Sequence, residues 1–164
     1  MRAMAMRVGI LTISDAGSRG ERVDTSGAAI RELMEGIGAE VAHHAVVPDE
    51  RDRIASTLRE WCDRGGVDLV LTTGGTGLAA RDVTPEATID VAERLAPGIA
   101  EAMRAAGMRA TPMAMLSRAA AVVRGSTLIV NLPGSEKGVR ESLAAIIDVL
   151  PHAVQLLRGD TEHR

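Results

Sequence analysis

Three glycines fall within four positions, Gly74, Gly75 and Gly77, directly after an aliphatic run that ends in Thr72-Thr73, and Asp82 follows five residues later. Without Cβ atoms, such a turn can take positive φ and aim successive N–H groups at an anion, as phosphate-binding nests do. Thr72, Thr73 and Thr76 add hydroxyl donors. The same residues also suit a tight strand-to-helix turn in which glycine serves geometry alone. Gly75, Gly77 and Ala80 satisfy the spacing G-x-G-x-x-A. A dinucleotide fingerprint, however, follows the first strand and opens directly into a helix, whereas here the helix starts later, at Pro85. No G-x-x-x-x-G-K-[ST] string occurs, which excludes a Walker A loop.

Asp49 and Asp82 follow the ends of the second and third expected strands, so both carboxylates should converge on the crevice beside the glycine turn. Such a pair suits Mg²⁺, which takes one or two protein carboxylates and fills its other positions with phosphate and water. Asp49 is equally placed to N-cap a helix. Asp82 has no evident capping role, because Thr84 before Pro85 offers a cap already. A second turn, Leu132-Pro133-Gly134-Ser135-Glu136-Lys137, holds the chain's sole lysine among 19 Lys and Arg residues. A compact ammonium suits a phosphate, and chance explains its position as well. Ser135 stands where the last helix should begin, either as its N-cap or as part of an anion site at its N-terminus. Ser117 and Arg118 open a hairpin, with Arg118 placed either to reach a phosphate or to lie solvated on the surface. His43 and His44 lie mid-strand on opposite faces and read as structural.

The elements that must position these residues alternate between strand and helix. Val8 to Ile13 is a short apolar run suited to a strand buried on both faces, and Ser14 to Asp24 reads as a loop. Ile30, Leu33, Met34 and Ile37 have helical spacing, stopped by Gly36 and Gly38. Val41 to Val47 is a second strand ended by Pro48. Asp49 opens a helix with the apolar stripe Ile54, Leu58, Trp61 and Cys62, closed by Gly65-Gly66, which puts Cys62 in the core. Asp68 to Thr73 is the third strand. Pro85 and Pro97 each read as a first helical residue, with helix up to Gly107. Ala119 to Val123 and Thr127 to Asn131 flank Arg124-Gly125-Ser126 as a hairpin, which makes one strand antiparallel. A last helix carries Val139, Leu143, Ile146, Ile147 and Leu150, is broken by Pro151, and gives way to a short helix with Val154 and Leu157; the chain is expected to fray from Gly159. This pattern predicts an α/β fold whose mostly parallel sheet is covered on both faces, with ligands at the C-terminal strand ends. Four loops then meet in one crevice: Ser14 to Asp24, Pro48-Asp49, Thr72 to Asp82 and Leu132 to Lys137.

Composition agrees with one domain over residues 1–164, with its core at about 7–158. With 46% hydrophobic and 25% charged residues the chain is ordinary for a globular protein. One Trp, no Phe or Tyr, and a net charge of -3 argue against single-strand nucleic-acid binding. The single cysteine, Cys62, precludes an internal disulfide and a multi-cysteine zinc site, and a cytoplasmic setting is the simplest expectation. The apolar run near the N-terminus is too short for a signal peptide, and nothing approaches the roughly 18 apolar residues of a membrane span. Met4 and Met6 offer alternative starts.

Taken in order, Thr12-Ile13-Ser14-Asp15, Val47-Pro48-Asp49-Glu50, Thr72 to Gly77, Arg81-Asp82-Val83-Thr84-Pro85-Glu86-Ala87-Thr88, Leu116-Ser117-Arg118 and Asn131-Leu132-Pro133-Gly134 resemble the Mog/MoaB-type molybdopterin adenylyltransferase family. The resemblance spans residues 7 to 158. It implies a three-layer αβα sandwich of the molybdopterin-binding type, usually trimeric rather than hexameric, that uses Mg²⁺ and ATP to adenylylate molybdopterin and releases pyrophosphate. The molybdenum-insertion protein that takes the product is an implied partner, and neither nucleic acid nor membrane is. By position, Asp49 and Asp82 match acidic residues that bind Mg²⁺ and support catalysis, and Gly74 to Gly77 with Thr73 match the nucleotide-phosphate turn. Ser135 matches a molybdopterin-side position, with Ser117, Arg118, Pro133, Gly134 and Lys137 beside it, while Ser14 and Asp15 line the same cleft. Where many members place proline after the small residue of the Leu-Pro-Gly turn, this chain has Glu136, which loosens the turn and adds negative charge that Lys137 can offset. Two other readings are a non-catalytic molybdopterin-binding or scaffold paralogue, and an enzyme of the competence/damage-inducible family acting on nucleotides. Retention of both aspartates opposes the first, and the Gly75-Thr76-Gly77-Leu78 and Arg81-Asp82 pattern opposes the second.

Overall fold

The computed structural model describes residues 4–160; the frayed end expected beyond Gly159 therefore falls mostly outside the described residues. A six-stranded sheet, in the order β2-β1-β3-β6-β5-β4, is built from β1 (Arg7–Ile13), β2 (Glu40–Val47), β3 (Leu69–Thr73), β4 (Arg94–Leu95), β5 (Ala121–Arg124) and β6 (Thr127–Leu132). The first three and β6 are mutually parallel, and β5 alone runs against its neighbours on both sides. The hairpin spacing around Gly125 (φ 59°) is thus realised, and the one antiparallel strand with it.

β1 and β3 are buried almost throughout because both sheet faces are covered. On one face Val8, Ile10, Leu69 and Leu71 pack against α2 (Thr25–Gly36), α5 (Pro97–Met108), α6 (Glu136–Ile146) and α7 (Leu150–Leu157). On the other, Leu11, Ile13 and Val70 pack against α3 (Arg51–Arg64) and α4 (Thr84–Val91). Alternation along a strand sends consecutive residues to opposite faces, so these two clusters make three layers. Trp61 on α3 lies over Gly9, where a Cβ would come within 2.7 Å of its ring, and stacks on His43 with centroids 5.4 Å apart.

Several boundaries differ from the sequence expectation for local reasons. Ser14 accepts a hydrogen bond from Gly17 N (2.9 Å) and starts a one-turn helix, α1 (Asp15–Ser18), inside the expected loop. α3 begins at Arg51 behind Glu50, so Asp49 is not its cap. Thr84 does not cap α4 either: its hydroxyl is buried and donates to Gly74 O (2.9 Å). Between Pro85 and Pro97 the helix stops at Val91, and β4 adds a second pairing on β5 through Glu93 N to Val123 O (2.9 Å) and Ala96 N to Ala121 O (2.9 Å). The break expected at Pro151 falls earlier, in a 3-10 turn at Ile147–Val149, because proline fits the first turn of α7 without losing a bond. Ile147 is therefore only half buried, and Cys62 too lies at the edge of the core, where burial pushes its thiol up to about 11.

Candidate functional site

The parallel strands end in nearly one row: Ile13 pairs with Val47, Thr12 with Thr73, and Thr73 with Leu132. Ser14 N donates to Val47 O (2.9 Å) and Gly74 N to Leu132 O (3.2 Å), so the four following loops begin side by side. They enclose a cleft of about 460 Å³, lined by Ser14, Gly17, Arg22 and Asp24 after β1, Asp49 after β2, Thr73, Gly74, Gly75 and Asp82 after β3, and Gly134, Ser135 and Glu136 after β6. The crevice expected from strand order is therefore present, with Ser14, Asp49, Thr73, Gly74, Gly75, Asp82, Gly134 and Ser135 together in it.

Gly74 and Gly75 take φ of 99° and 70°, conformations that side chains rarely adopt. A Cβ on Gly75 would also overlap the Thr84 hydroxyl and approach Asp49 Oδ1 to 3.3 Å. Gly77 has no positive φ; its requirement is close approach, since a Cβ there would stand 2.9 Å from Asp82 Oδ2. Thr72 and Thr73 serve inward rather than as ligand donors. Thr72 accepts from Asn131 Nδ2 (3.0 Å), and Thr73 donates to Pro133 O (2.6 Å), tying the two turns together. Gly74 N is held by Leu132, whereas the amides of Gly75, Thr76 and Gly77 meet no acceptor among the described residues.

The carboxylates form a linked set. Asp15 N donates to Asp49 Oδ2 (3.0 Å) and Asp49 N to Asp15 Oδ1 (3.0 Å), so each fixes the other's backbone. Arg81 forks onto Asp15 at 2.7 and 2.9 Å and holds its carboxyl down at about 2. Asp49 moves the other way: burial raises its pKa, and the charges of Asp15 and Asp82 add to this, outweighing the Asp15 N–H and Arg81. Asp82 is not idle, since its Oδ2 accepts from Ala79 N (3.0 Å) and so shapes its own loop.

Other expected site residues stand outside the lining. Arg118 is a clamp: its guanidinium donates to Gly77 O (2.8 Å), Asp82 O (2.6 Å) and the Glu86 carboxylate (2.7 and 3.1 Å), while its backbone N reaches Thr76 O (2.8 Å). Thr76 and Gly77 thus hold the turn through Arg118. Asp15 likewise supports Asp49 from behind. Lys137 does not share the cleft; its side chain is 87% exposed and lies 3.9 Å from Glu141. It borders a separate groove of about 380 Å³ between α5 and α6, together with Ser117, Pro133 and Ser135. Nor does Lys137 offset Glu136, which pairs with Arg140 (3.2 Å). Ser135 keeps its capping role, accepting from Gly138 N (3.0 Å), while lining both hollows.

Sequence reasoning missed Asp24, Arg22 and Ser26. Asp24 caps α2 through Gly27 N (2.8 Å), and its other oxygen is met by Thr12 Oγ1 (2.8 Å) and His44 Nε2 (2.9 Å). Ser26 donates to Gly134 O (2.7 Å) and joins the α2 and α6 termini. The spacing Asp24-x-x-Gly27 was a visible capping signal; that His44 reaches it from β2 was not. His43 and His44 do take opposite faces, as alternation requires.

Residues 9–152 match the family model described as a probable molybdopterin binding domain. The chain belongs to that family. This molybdopterin-binding domain is 43% identical to the molybdopterin adenylyltransferase of Helicobacter pylori over 157 residues, covering 94% of this chain and 89% of that protein. It is 39% identical to the enzyme of the same name from Escherichia coli over 168 residues, covering 94% and 86%. Among solved structures, the molybdopterin biosynthesis enzyme MoaB of Thermus thermophilus superposes with a TM-score of 0.89 at 60% identity, covering 94% of this chain and 97% of that one. The family's fold is therefore the fold of this molybdopterin-binding domain. No helix among the described residues is long and apolar enough to cross a membrane.

Proposed function

We propose that this protein adenylylates molybdopterin with ATP in molybdenum cofactor biosynthesis, releasing pyrophosphate. The observation that carries the reading is the pair Asp49 and Asp82 in one cleft with the glycine turn. Each carboxylate has one oxygen held by a backbone N–H, at 3.0 Å in both cases, and a second oxygen without a donor among the described residues. That fits a divalent cation which takes two carboxylates and completes its shell with phosphate and water; no cluster of three or more acidic, His or Cys ligands occurs among the described residues to hold one otherwise. Mg²⁺ bound there would screen the repulsion between two anionic substrates and stabilise charge on the departing pyrophosphate.

The reaction joins a phosphate oxygen of molybdopterin to the α-phosphorus of ATP and breaks the α–β phosphoanhydride bond. The protein's own part is positioning and electrostatics. The Gly75 amide, in the cleft lining and without an acceptor among the described residues, suits a phosphate oxygen, and the N-termini of α2 and α6, joined through Ser26 and Gly134, add positive potential. Asp15 fixes Asp49, and Arg118 fixes the carbonyl of Asp82. No covalent nucleophile is required. The adjoining groove with Ser117, Pro133, Ser135 and Lys137 is the place for the molybdopterin side. One domain over residues 1–164, with its core at 7–158, carries the whole site, and the cytoplasm is its setting. Exposed Leu95 on β4, with Met113, Met115 and Leu116 in the turn Pro112–Leu116, suits a homo-oligomer, and the family resemblance puts a trimer before a hexamer. The molybdenum-insertion protein is the consumer of the product.

The test supplies purified protein with molybdopterin, ATP and Mg²⁺ and looks for adenylylated molybdopterin and pyrophosphate. Saturable molybdopterin binding without product would replace the enzyme by a binding protein. A mass measurement in solution decides the oligomer.

A further inference from the structure

We propose that Arg81 is an exchangeable cation of this cleft, paired with Asp15 in the free protein and passed to the polyphosphate of the nucleotide in the complex. The inference rests on the adenylyl-transfer reading above and adds a residue that neither sequence spacing nor the cleft lining assigns. Its starting point is a charge imbalance. The lining carries Asp24, Asp49, Asp82 and Glu136 against a single cation, Arg22, although the ligand it must accept is an anion. Lys137 lies in the other groove, Arg118 is fixed by four acceptors, Arg19 is paired with Glu21, and Arg140 is occupied by Glu32 and Glu136.

Arg81 is the remaining cation beside the aspartates. It immediately precedes Asp82, its side chain is 61% exposed, and the stretch from Leu78 to Arg81 is exposed along its length, so the guanidinium can swing without disturbing packed residues. Its charge already reaches Asp49. Asp15 is the less exposed partner at 27%, but water reaches the guanidinium side of the pair and competes for it there. A phosphate offers the same fork two oxygens with more charge, in the bidentate geometry guanidinium favours. The exchange also has a consequence for the acids: once Arg81 leaves, Asp15 stands unneutralised against Asp49, so negative charge concentrates on the aspartate side of the cleft as phosphates arrive.

A fixed strap is the competing account, with Arg81 serving only to press Asp15 against Asp49. The two accounts differ in sign at Asp15. Asp15→Asn keeps an oxygen for Asp49 N but no longer holds the guanidinium by charge. Titration calorimetry with inorganic pyrophosphate, on wild type, Arg81→Ala, Arg81→Lys and Asp15→Asn at fixed ionic strength, separates them. Arg81→Ala is expected to weaken binding about tenfold, Arg81→Lys to recover part of it, and Asp15→Asn to tighten it about threefold. The salt dependence of binding should also flatten in Arg81→Ala, which lacks one phosphate-neutralising charge. An unchanged affinity in Arg81→Ala, or Asp15→Asn weakening binding in parallel with it, overturns the proposal and leaves the strap. Should Arg81→Ala not fold, Arg81→Lys and Asp15→Asn still give opposite signs under exchange and the same sign under the strap. Wild type that binds neither pyrophosphate nor ATP would instead sink the adenylyl-transfer reading itself.

Discussion

Replacing Arg118 by methionine removes every side-chain donor while keeping most of the apolar stem, and the structure gives a size for the loss. Two guanidinium bonds go to main-chain carbonyls, Gly77 O at 2.8 Å and Asp82 O at 2.6 Å, and two more to Glu86. Hydrogen bonds involving a charged group contribute about 1.5–3 kcal/mol each. The Glu86 pair is about one-third exposed, at 35% and 34%, so screening leaves it with about 1 kcal/mol or less. The shorter apolar side chain would restore some packing, giving a net loss of about 3 kcal/mol, or about 6–12 °C in melting temperature for a chain of this size. Urea denaturation measures it directly. Arg118 lowers the Glu86 pKa, so the ionic share is fully present above about pH 4.5 and is lost as pH falls through the lowered folded value. The stability gap should therefore narrow below pH 4.5, as the ionic share goes. Turnover should fall about a hundredfold through misplaced Asp82, with little change in KM for ATP. A variant of unchanged stability whose KM for ATP rises while kcat holds would show that Arg118 contacts the nucleotide and is no clamp.

Asp82→Asn, which keeps the acceptor for Ala79 N, should lower turnover at least about a hundredfold while the melting temperature stays within about 2 °C, read by product formation and calorimetry. Asp49→Asn should raise the melting temperature at neutral pH, because burial makes the charged form costly; the gain should vanish as pH falls below about 4, where wild type is protonated too, and thermal scans across pH check it. Gly75→Ala should destabilise by about 2–4 kcal/mol, from positive φ and the overlap with Thr84, measured in urea. Asp68 is raised by burial, but Arg158 (2.6 Å) and Arg7 N (2.8 Å) outweigh this and lower it. Asp68→Asn should cost about 1–2 kcal/mol at neutral pH and progressively less in acid, by the same urea assay.

The fold was legible because its strongest signals are local. Val8 to Ile13 announced a doubly buried strand, and Gly125 between two β-branched runs announced the hairpin. β4 was invisible because Arg94-Leu95 is two residues long and its pairing with Val122 and Val123 depends on a partner distant in sequence. In the site, Asp49 and Asp82 were legible from their place after strand ends. The roles of their neighbours were not. Arg118 and Lys137 look alike in sequence as cations near turns, and only the packing makes one a clamp on Gly77 and Asp82 and sends the other to a separate groove. Thr84 before Pro85 had the form of a cap, yet the approach of Gly74 O claimed its hydroxyl. Such tertiary claims on a side chain leave no periodic trace.

The stack of Trp61 on His43 has an optical consequence. With no tyrosine or phenylalanine, the chain carries a single ultraviolet chromophore, buried against Gly9 at the seam of β1, β2 and α3. Its emission is therefore a one-site gauge. It reports the parting of α3 from the sheet, so a fluorescence unfolding curve follows that one seam.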